Sequence, residues 1–452
     1  MNELFSSEQT AASILLHEIT ELRAENDALC GEIVTLKAQI EELQEEIRRL
    51  RGGKGNSTAL SIKPSRPPKE KESRKRRGHG FARRREPAQE EVTHAREVCP
   101  DCGRKLEGGW KHRVHQVIEI VLPQVKVVDH VLLRRRCGVC GKSWLPEVSP
   151  QEIGTQGRRR IGASVQSLVA TLHIGARLPI KPIRSLLREL WGLQLSNGAV
   201  VKLLEGVKQA GESKLADLLA QVRKAPAVCA DETGWREDGH NGYLWGFFTE
   251  TARYFEYHQS RAAAVPEGIL GEDFGGVVTC DFYAGYNNVG RLQRCWPHLL
   301  GDAGELAEIN ADRPQVRDWV AELKALYHEA KDFSSPLNRE RRRVRKRFEQ
   351  RAAKLARPYA EDPEAPQRVL SQRILKHLPE LFVFVERPEV PGDNNLAERS
   401  LRPAVIARKI SGGTRSPKGS KTRMGLMSLF ATWKAQGKPL LATCRELLLA
   451  PT

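Results

Sequence analysis

The chain has 452 residues, with 73 Lys and Arg against 56 Asp and Glu, a formal net charge of +17. That length accommodates several domains and a large core. No secretory signal or membrane segment is visible, and most of the nine cysteines are scattered singly, which excludes a secreted disulfide scaffold and predicts a cytoplasmic, nucleoid-associated protein.

The first predicted element is a coiled coil over residues 12–51. Leu15, Leu22, Leu29, Leu36, Leu43 and Leu50 recur every seven residues, with Ile19, Asn26, Ile33, Ile40 and Ile47 between them. Leu at d and Ile at a favour two parallel strands, and Asn26 at an a position fixes the register. Glu18, Glu32 and Glu46 face Arg23, Lys37 and Arg51 across the seam, so a homodimer is expected. Residues 52–92 follow as a basic flexible linker. Positions 51–85 hold 13 Lys and Arg against two Glu. Gly52, Gly53 and Pro64 break this segment, so it cannot continue the coil as one DNA-reading helix.

Residues 93–146 are expected to form a zinc ribbon. Cys99-Pro100-Asp101-Cys102-Gly103 and Cys137-Gly138-Val139-Cys140-Gly141 are two CxxC knuckles with 34 residues between them. Four thiolates suit one tetrahedral structural Zn²⁺, and a Gly after the second Cys lets amides approach the sulfurs. Alternation from Val114 to Leu133 predicts a β-hairpin turning at Pro123. His112 and His115 are read as surface residues, because the cysteines already fill the metal shell.

Residues 155–222 are expected to be helical and helix-turn-helix-like. Apolar periodicity marks Ser164 to Ile174 and Ile183 to Leu190, and Ser196 is placed to cap a third helix. Such a helix either enters the major groove with Asn197 and Lys202 outward or packs as a plain hairpin on the core.

An α/β ribonuclease-H-like core is predicted over 225–300 and 378–447. Asp231 ends the apolar run 225–230, and Asp281 ends the run 276–280. Between them lie two β-rich runs, Tyr243 to Phe248 and Tyr254 to His258, and a short helix over Ala262 to Leu270. Open α/β sheets bind ligands at the carboxyl ends of their strands, so both aspartates are expected there, with Cys229 and Cys280 buried. Glu398 follows on a helix capped by Asp393, with Arg399 and Arg402 beside it to meet phosphate oxygens. Between Asp281 and Glu398 stand 116 residues, more than such a core needs, so a basic helical insertion is expected at 301–377. Arg339 to Arg357 holds ten basic residues against two acids, and Arg399 to Arg445 holds 11 and no acid. Clusters of this kind neutralise phosphates and release counterions. Cys295 and His298 have the spacing of a metal pair, but without a second pair a structural role is favoured.

Three carboxylates so placed can hold two Mg²⁺ (or Mn²⁺) ions roughly 3.5–4 Å apart for in-line displacement at phosphorus. The segments Asp231-Glu232-Thr233-Gly234-Trp235, Asp281 with Tyr283-Ala284-Gly285-Tyr286, Cys295-Trp296-Pro297-His298 and Asp393-Asn394-Asn395-Leu396-Ala397-Glu398-Arg399 resemble those of the insertion sequence 66 family of bacterial transposases. The likeness runs from the N-terminal helix to about residue 445. It implies that Asp231, Asp281 and Glu398 are the catalytic Asp-Asp-Glu triad. Two departures stand out: Leu299 to Glu305 replaces the basic residues usual after the Cys-Trp-x-His segment, and the glycine-rich basic motif is reduced to Arg76-Arg77-Gly78-His79-Gly80.

The expected protein is a transposase that binds double-stranded DNA, both element ends and target. Water attack on a phosphodiester follows from the chemistry of such a site, whereas transfer of the freed 3′ end to target DNA follows from the resemblance, as does any need for companion proteins of the same element. The alternatives are a metal-dependent nuclease that only cuts and a DNA-binding regulator that has lost catalysis.

Overall fold

The computed structural model describes residues 87–155 and 159–450, apart from positions 110, 112 and 119–123. The predicted coiled coil and most of the basic linker lie outside the described residues, save Gly31, Thr35 and Gln39, which are helical. The chain divides into two compact units, Met1–Val117 and Ile118–Thr452.

In the first unit the Cys99 amide donates to the Arg104 carbonyl (2.9 Å) and the Gly103 amide to the Cys99 carbonyl (3.0 Å). In the second, Cys137 and Gly141 repeat this turn, with Cys137 N–H to Lys142 O at 2.8 Å and Gly141 N–H to Cys137 O at 3.0 Å. Gly103 and Gly141 both take φ 71°, a left-handed value that explains glycine after the second cysteine of each knuckle. The second turn joins a short antiparallel ladder, Arg135–Arg136 with Ser143–Trp144. The hairpin predicted over 114–133 is corrected: the described residues of that stretch carry no strand. The described apolar side chains of the stretch stand open to solvent, with Val127 86% and Val131 77% exposed, and an isolated hairpin is marginal in water.

The rest of the second unit is mixed α/β. Helices α1 (Ala163–Ala170), α2 (Ile180–Trp191), α3 (Asn197–Ala210) and α4 (Glu212–Arg223) come first. Gly192 ends α2 in the left-handed conformation, and the Ser196 hydroxyl caps α3 by accepting from the Ala199 amide. Val200, Leu204 and Val207 of α3 are buried in the cluster that also covers one face of the sheet, while Lys202 stays exposed.

Five strands follow: β1 (Ala227–Glu237), β2 (His240–Phe248), β3 (Arg253–His258), β4 (Val277–Cys280) and β5 (Arg291–Arg294), with helix α5 (Ala264–Leu270) before β4. Their order across the sheet is β3-β2-β1-β4-β5. β1, β2 and β3 pair antiparallel, whereas β1–β4 and β4–β5 are parallel. Asp238 (φ 50°) and Gly239 (φ 82°) form the two-residue turn between β1 and β2, the Asp-Gly signal of a tight hairpin. Side chains alternate across the sheet, as the period of two requires. Val228, Ala230, Trp245 and Phe247 face the first helices, and Cys229, Trp235, Leu244 and Phe248 face the opposite layer.

Helices α6 (Trp296–Ile309), α7 (Pro314–Asp332), α8 (Asn338–Ala360) and α9 (Arg368–Lys376) stand between β5 and the end of the domain. Trp296, Trp319, Phe348, Ile374 and Phe382 close their separate core, which therefore begins at Trp296 and runs past Lys376. Helices α10 (Asn395–Ser411), α11 (Pro417–Ala435) and α12 (Leu440–Leu449) complete the fold. Ala397, Leu401 and Ala404 of α10 with Met424 and Met427 of α11 cover the second face of the sheet. Among the described residues no helix is long and apolar enough to cross a membrane.

Candidate active site

Asp231 lies within β1 rather than at its end, because the strand runs on to Glu237 in the hairpin with β2. The parallel ladder with β4 covers only Ala227 to Cys229, paired with Val277 to Thr279. Two residues beyond the last pair stand Asp231 on one strand and Asp281 on the other, so both lie at the carboxyl end of the parallel part, level with each other. The expectation of a strand end holds for Asp281, which directly follows β4. The Asp281 carboxylate accepts the Tyr283 amide at 2.9 Å, and that of Asp231 accepts the Glu232 amide at 2.9 Å.

Glu398 comes from the first turn of α10. That helix is laced to β1 at three levels. The Asn394 side-chain amide donates to the Ala230 carbonyl at 2.8 Å, Arg408 donates to the Gly234 carbonyl, and the Thr414 amide donates to the Arg236 carbonyl at 2.9 Å. The position just before the helix is therefore Asn394, fully buried, and not Asp393. Asn394 makes no side-chain cap bond; the Asp393 carboxylate accepts the Asn395 amide at 3.2 Å and lies 3.8 Å from Lys331 Nζ.

Burial pushes the Asp231 carboxyl up to about 8, and the charges of Glu232, Asp281 and Glu398 add to the rise. Such crowding of negative charge is what a divalent cation relieves. Asp231 on β1 thus lies within reach of the charges of Asp281, at the end of β4, and of Glu398 on α10.

Further residues that the sequence pattern does not single out brace the site. The Glu232 side chain is 2% exposed and pairs with the Arg261 guanidinium, Nε to Oε1 at 2.8 Å. It also accepts the Tyr286 hydroxyl at 2.6 Å. Burial raises its carboxyl above the ordinary value, and the Tyr286 and Arg261 bonds counter only part of that rise. The Arg261 guanidinium lies 3.8 Å from the centre of the Tyr283 ring, which secures the loop after Asp281. Arg294 on β5 is fully buried. It donates to the Asp281 carbonyl (2.8 Å), the Tyr283 carbonyl (3.3 Å) and Glu380 Oε2 (2.6 Å), joining that loop to the helical subdomain.

Cys295 and His298 also meet the site. Cys295 precedes α6, and its amide donates to the Cys280 carbonyl at 2.8 Å. His298 Nε2 lies 3.9 Å from Glu398 Oε1. Arg399 and Arg402 are exposed on α10. Asn197 is exposed at the start of α3, with its Oδ1 accepting Arg184 Nη1 at 2.8 Å. In each cysteine knuckle the turn lowers the first thiol: the Asp101 and Cys102 amides act on Cys99, and the Cys140 and Val139 amides on Cys137.

A family model described as "Transposase IS66 family" matches residues 158–422. That is more than half of the chain and includes all three acids, and it leaves out both cysteine knuckles. A 68-residue stretch, 15% of the chain, is 40% identical to "Uncharacterized protein y4jO" of Sinorhizobium fredii, and covers 21% of that protein's length. The chain therefore spans about a fifth of this curated relative.

Proposed function

The chain belongs to the IS66 family of transposases, and from that premise we propose that it cuts phosphodiesters at the ends of an insertion element and joins the 3′ ends to target DNA. The observation that carries this reading is the placing of Asp231 and Asp281 two residues beyond the last pair of the parallel ladder, with Glu398 in the first turn of α10 and near enough for its charge to act on Asp231. The strand order β3-β2-β1-β4-β5, with three antiparallel and then parallel neighbours, supports a ribonuclease-H-like core around them.

The donor set is all oxygen and anionic, which suits Mg²⁺ or Mn²⁺. Two such ions held by Asp231, Asp281 and Glu398 would stabilise charge on the attacking and leaving oxygens. The protein's own part is to fix those carboxylates. Asn394, Arg408 and Thr414 hold α10 against β1, and Arg294 holds the Asp281 loop. Arg399 and Arg402, one and four residues after Glu398, are placed to meet phosphate oxygens as a DNA strand enters. Lys202 and the basic helix α8 extend the positive surface for duplex DNA.

In the same reading each cysteine knuckle, Cys99 with Cys102 and Cys137 with Cys140, offers a pair of thiolates suited to structural Zn²⁺. The glycine turns and the lowered first thiols of both knuckles support this donor set. The heptads of 12–51 pair two chains in parallel and so present two active sites to two ends.

Incubation of the purified protein with Mg²⁺ and DNA carrying the flanking terminal repeats tests the proposal. Nicks at the repeat ends, followed by joined products, are expected. Intact repeats in the presence of Mg²⁺ or Mn²⁺, from protein that binds them, would leave a DNA-binding regulator as the better reading.

A further inference from the structure

A thiol, an imidazole and a carboxylate meet beside the aspartate pair. The ligand atoms of Cys295, His298 and Glu398 all lie within 4.8 Å of one another, the one such mixed group among the described residues. Two helix starts build it: Cys295 and His298 open α6, and Glu398 lies in the first turn of α10. The backbone holds these starts together. The Trp296 amide donates to the Gly392 carbonyl at 3.1 Å, and the Asn394 amide donates to Cys295 Sγ at 3.2 Å.

The environment of the sulfur differs from that of an ordinary core cysteine. Cys295 is fully buried, yet its sulfur accepts the Asn394 amide at 3.2 Å. Metal ligation takes the thiolate form, so binding would release the Cys295 proton. His298 and Glu398 are exposed on their outer side (43% and 42%), so an ion can enter from solvent. We propose that Cys295, His298 and Glu398 bind a divalent transition-metal ion, Zn²⁺ foremost.

The chemistry of the set selects the ion. A soft thiolate and an imidazole disfavour Mg²⁺ and Ca²⁺, which take oxygen ligands, whereas Zn²⁺ accepts S, N and O together. Tetrahedral coordination brings ligand atoms to ~3.5 Å separations, so the set contracts slightly on binding. The two exposed side chains, His298 and Glu398, can supply that movement while Cys295 stays fixed. Three protein ligands leave a fourth position open to an incoming oxygen. A carboxylate has two oxygens, so Glu398 can serve this ion and still face Asp231 and Asp281. Occupancy would order Glu398 before DNA arrives. The inference shares Glu398 with the proposed cleavage site, but it does not depend on cleavage occurring.

Zinc retained by the full-length protein, after loading and removal of excess, is the measurement. His298→Ala removes an exposed side chain and leaves the core intact, so it is the primary variant; Cys295→Ser is the second. Each is expected to retain one ion fewer per chain than wild type, whatever number the wild type holds, or to bind that ion at least about tenfold more weakly. Asp231→Asn is expected to retain the wild-type number, which separates this cluster from the aspartate pair. Equal zinc content and affinity in wild type and His298→Ala would overturn the proposal and reduce the cluster to a His298–Glu398 ion pair. That outcome would leave the cleavage reading standing, because no DNA or Mg²⁺ enters the measurement.

Discussion

The side-chain amide of Asn394 donates to the carbonyl of Ala230 at 2.8 Å, tying the residue before Asp231 to the start of the helix that carries Glu398. Of the three bonds that hold α10 to β1, this buried one lies nearest the two acids, which are 167 positions apart in sequence. Asn394→Ala removes the donor, leaves the Ala230 carbonyl without it and opens a small void, at a cost of about 1–3 kcal/mol. Cleavage is expected to fall more steeply than stability, because Glu398 loses its register against Asp231. Thermal unfolding and cleavage rates measured side by side check this; unchanged cleavage in a folded variant would show that the bond does not position the acid.

Much of this site is legible in the chain. Apolar runs ending in Asp231 and Asp281 locate the two strands, since a buried parallel segment reads as a continuous hydrophobic run. The segment around Glu398 marks a helix start, where the Asp393 carboxylate accepts the first helical amide, while Asn394 turns its side chain to β1. An Asx residue facing a strand carbonyl has no local signal, because its partner is 164 positions away. Arg294 is hidden for the same reason: an arginine in a short strand reads as a surface residue, and only the fold supplies Glu380 and the carbonyls of Asp281 and Tyr283. Asp238-Gly239 is a local signal for the length of β1, and it explains why Asp231 is interior to its strand. Alternation misleads over 114–133, where the described apolar side chains such as Val127 and Val131 stand exposed.

The pair Glu232–Arg261 yields a prediction with an internal control. Arg261→Ala leaves a nearly fully buried carboxylate without its cation, which typically costs about 3–5 kcal/mol. Glu232→Gln in the same protein removes the stranded charge and is expected to recover more than half of that loss. Urea unfolding of the two single variants and the double variant tests the coupling. Additive losses would mean the two side chains act independently.

The raised Asp231 carboxyl makes metal-free stability depend on pH. Its folded value, about 8, lies above the ordinary 3.8, so between these values the folded chain holds a proton that the unfolded chain has released. The stabilising contribution of the protonated acid is thus complete below about pH 4 and is lost as pH rises towards 8. With chelator present, Asp231→Asn is expected to match wild type near pH 4. At pH 8 it is expected to be more stable by about 1–3 kcal/mol, less than the full conversion because water reaches part of the site. Excess Mg²⁺ reverses the order, since only wild type gains from binding. Identical pH profiles for the two proteins would contradict the crowded-carboxylate account.

Removal of residues 1–51 separates chemistry from pairing. Nicking of a single end needs one active site and is expected to persist within a few-fold, while concerted joining of two ends drops by 10-fold or more, as the effective concentration of the second site is lost. Light scattering of the intact chain is expected to report a dimer, and a monomer at micromolar concentration would remove the basis for this difference.

The most direct test is the cleavage rate of Asp281→Asn on terminal-repeat DNA with Mg²⁺, measured on protein shown to fold and to bind that DNA as wild type does. The substitution removes one anionic ligand and almost no volume, so cleavage is expected to fall by more than about 100-fold with unfolding and DNA affinity unchanged. Cleavage within a few-fold of wild type would contradict the assignment of Asp231, Asp281 and Glu398 as one catalytic site.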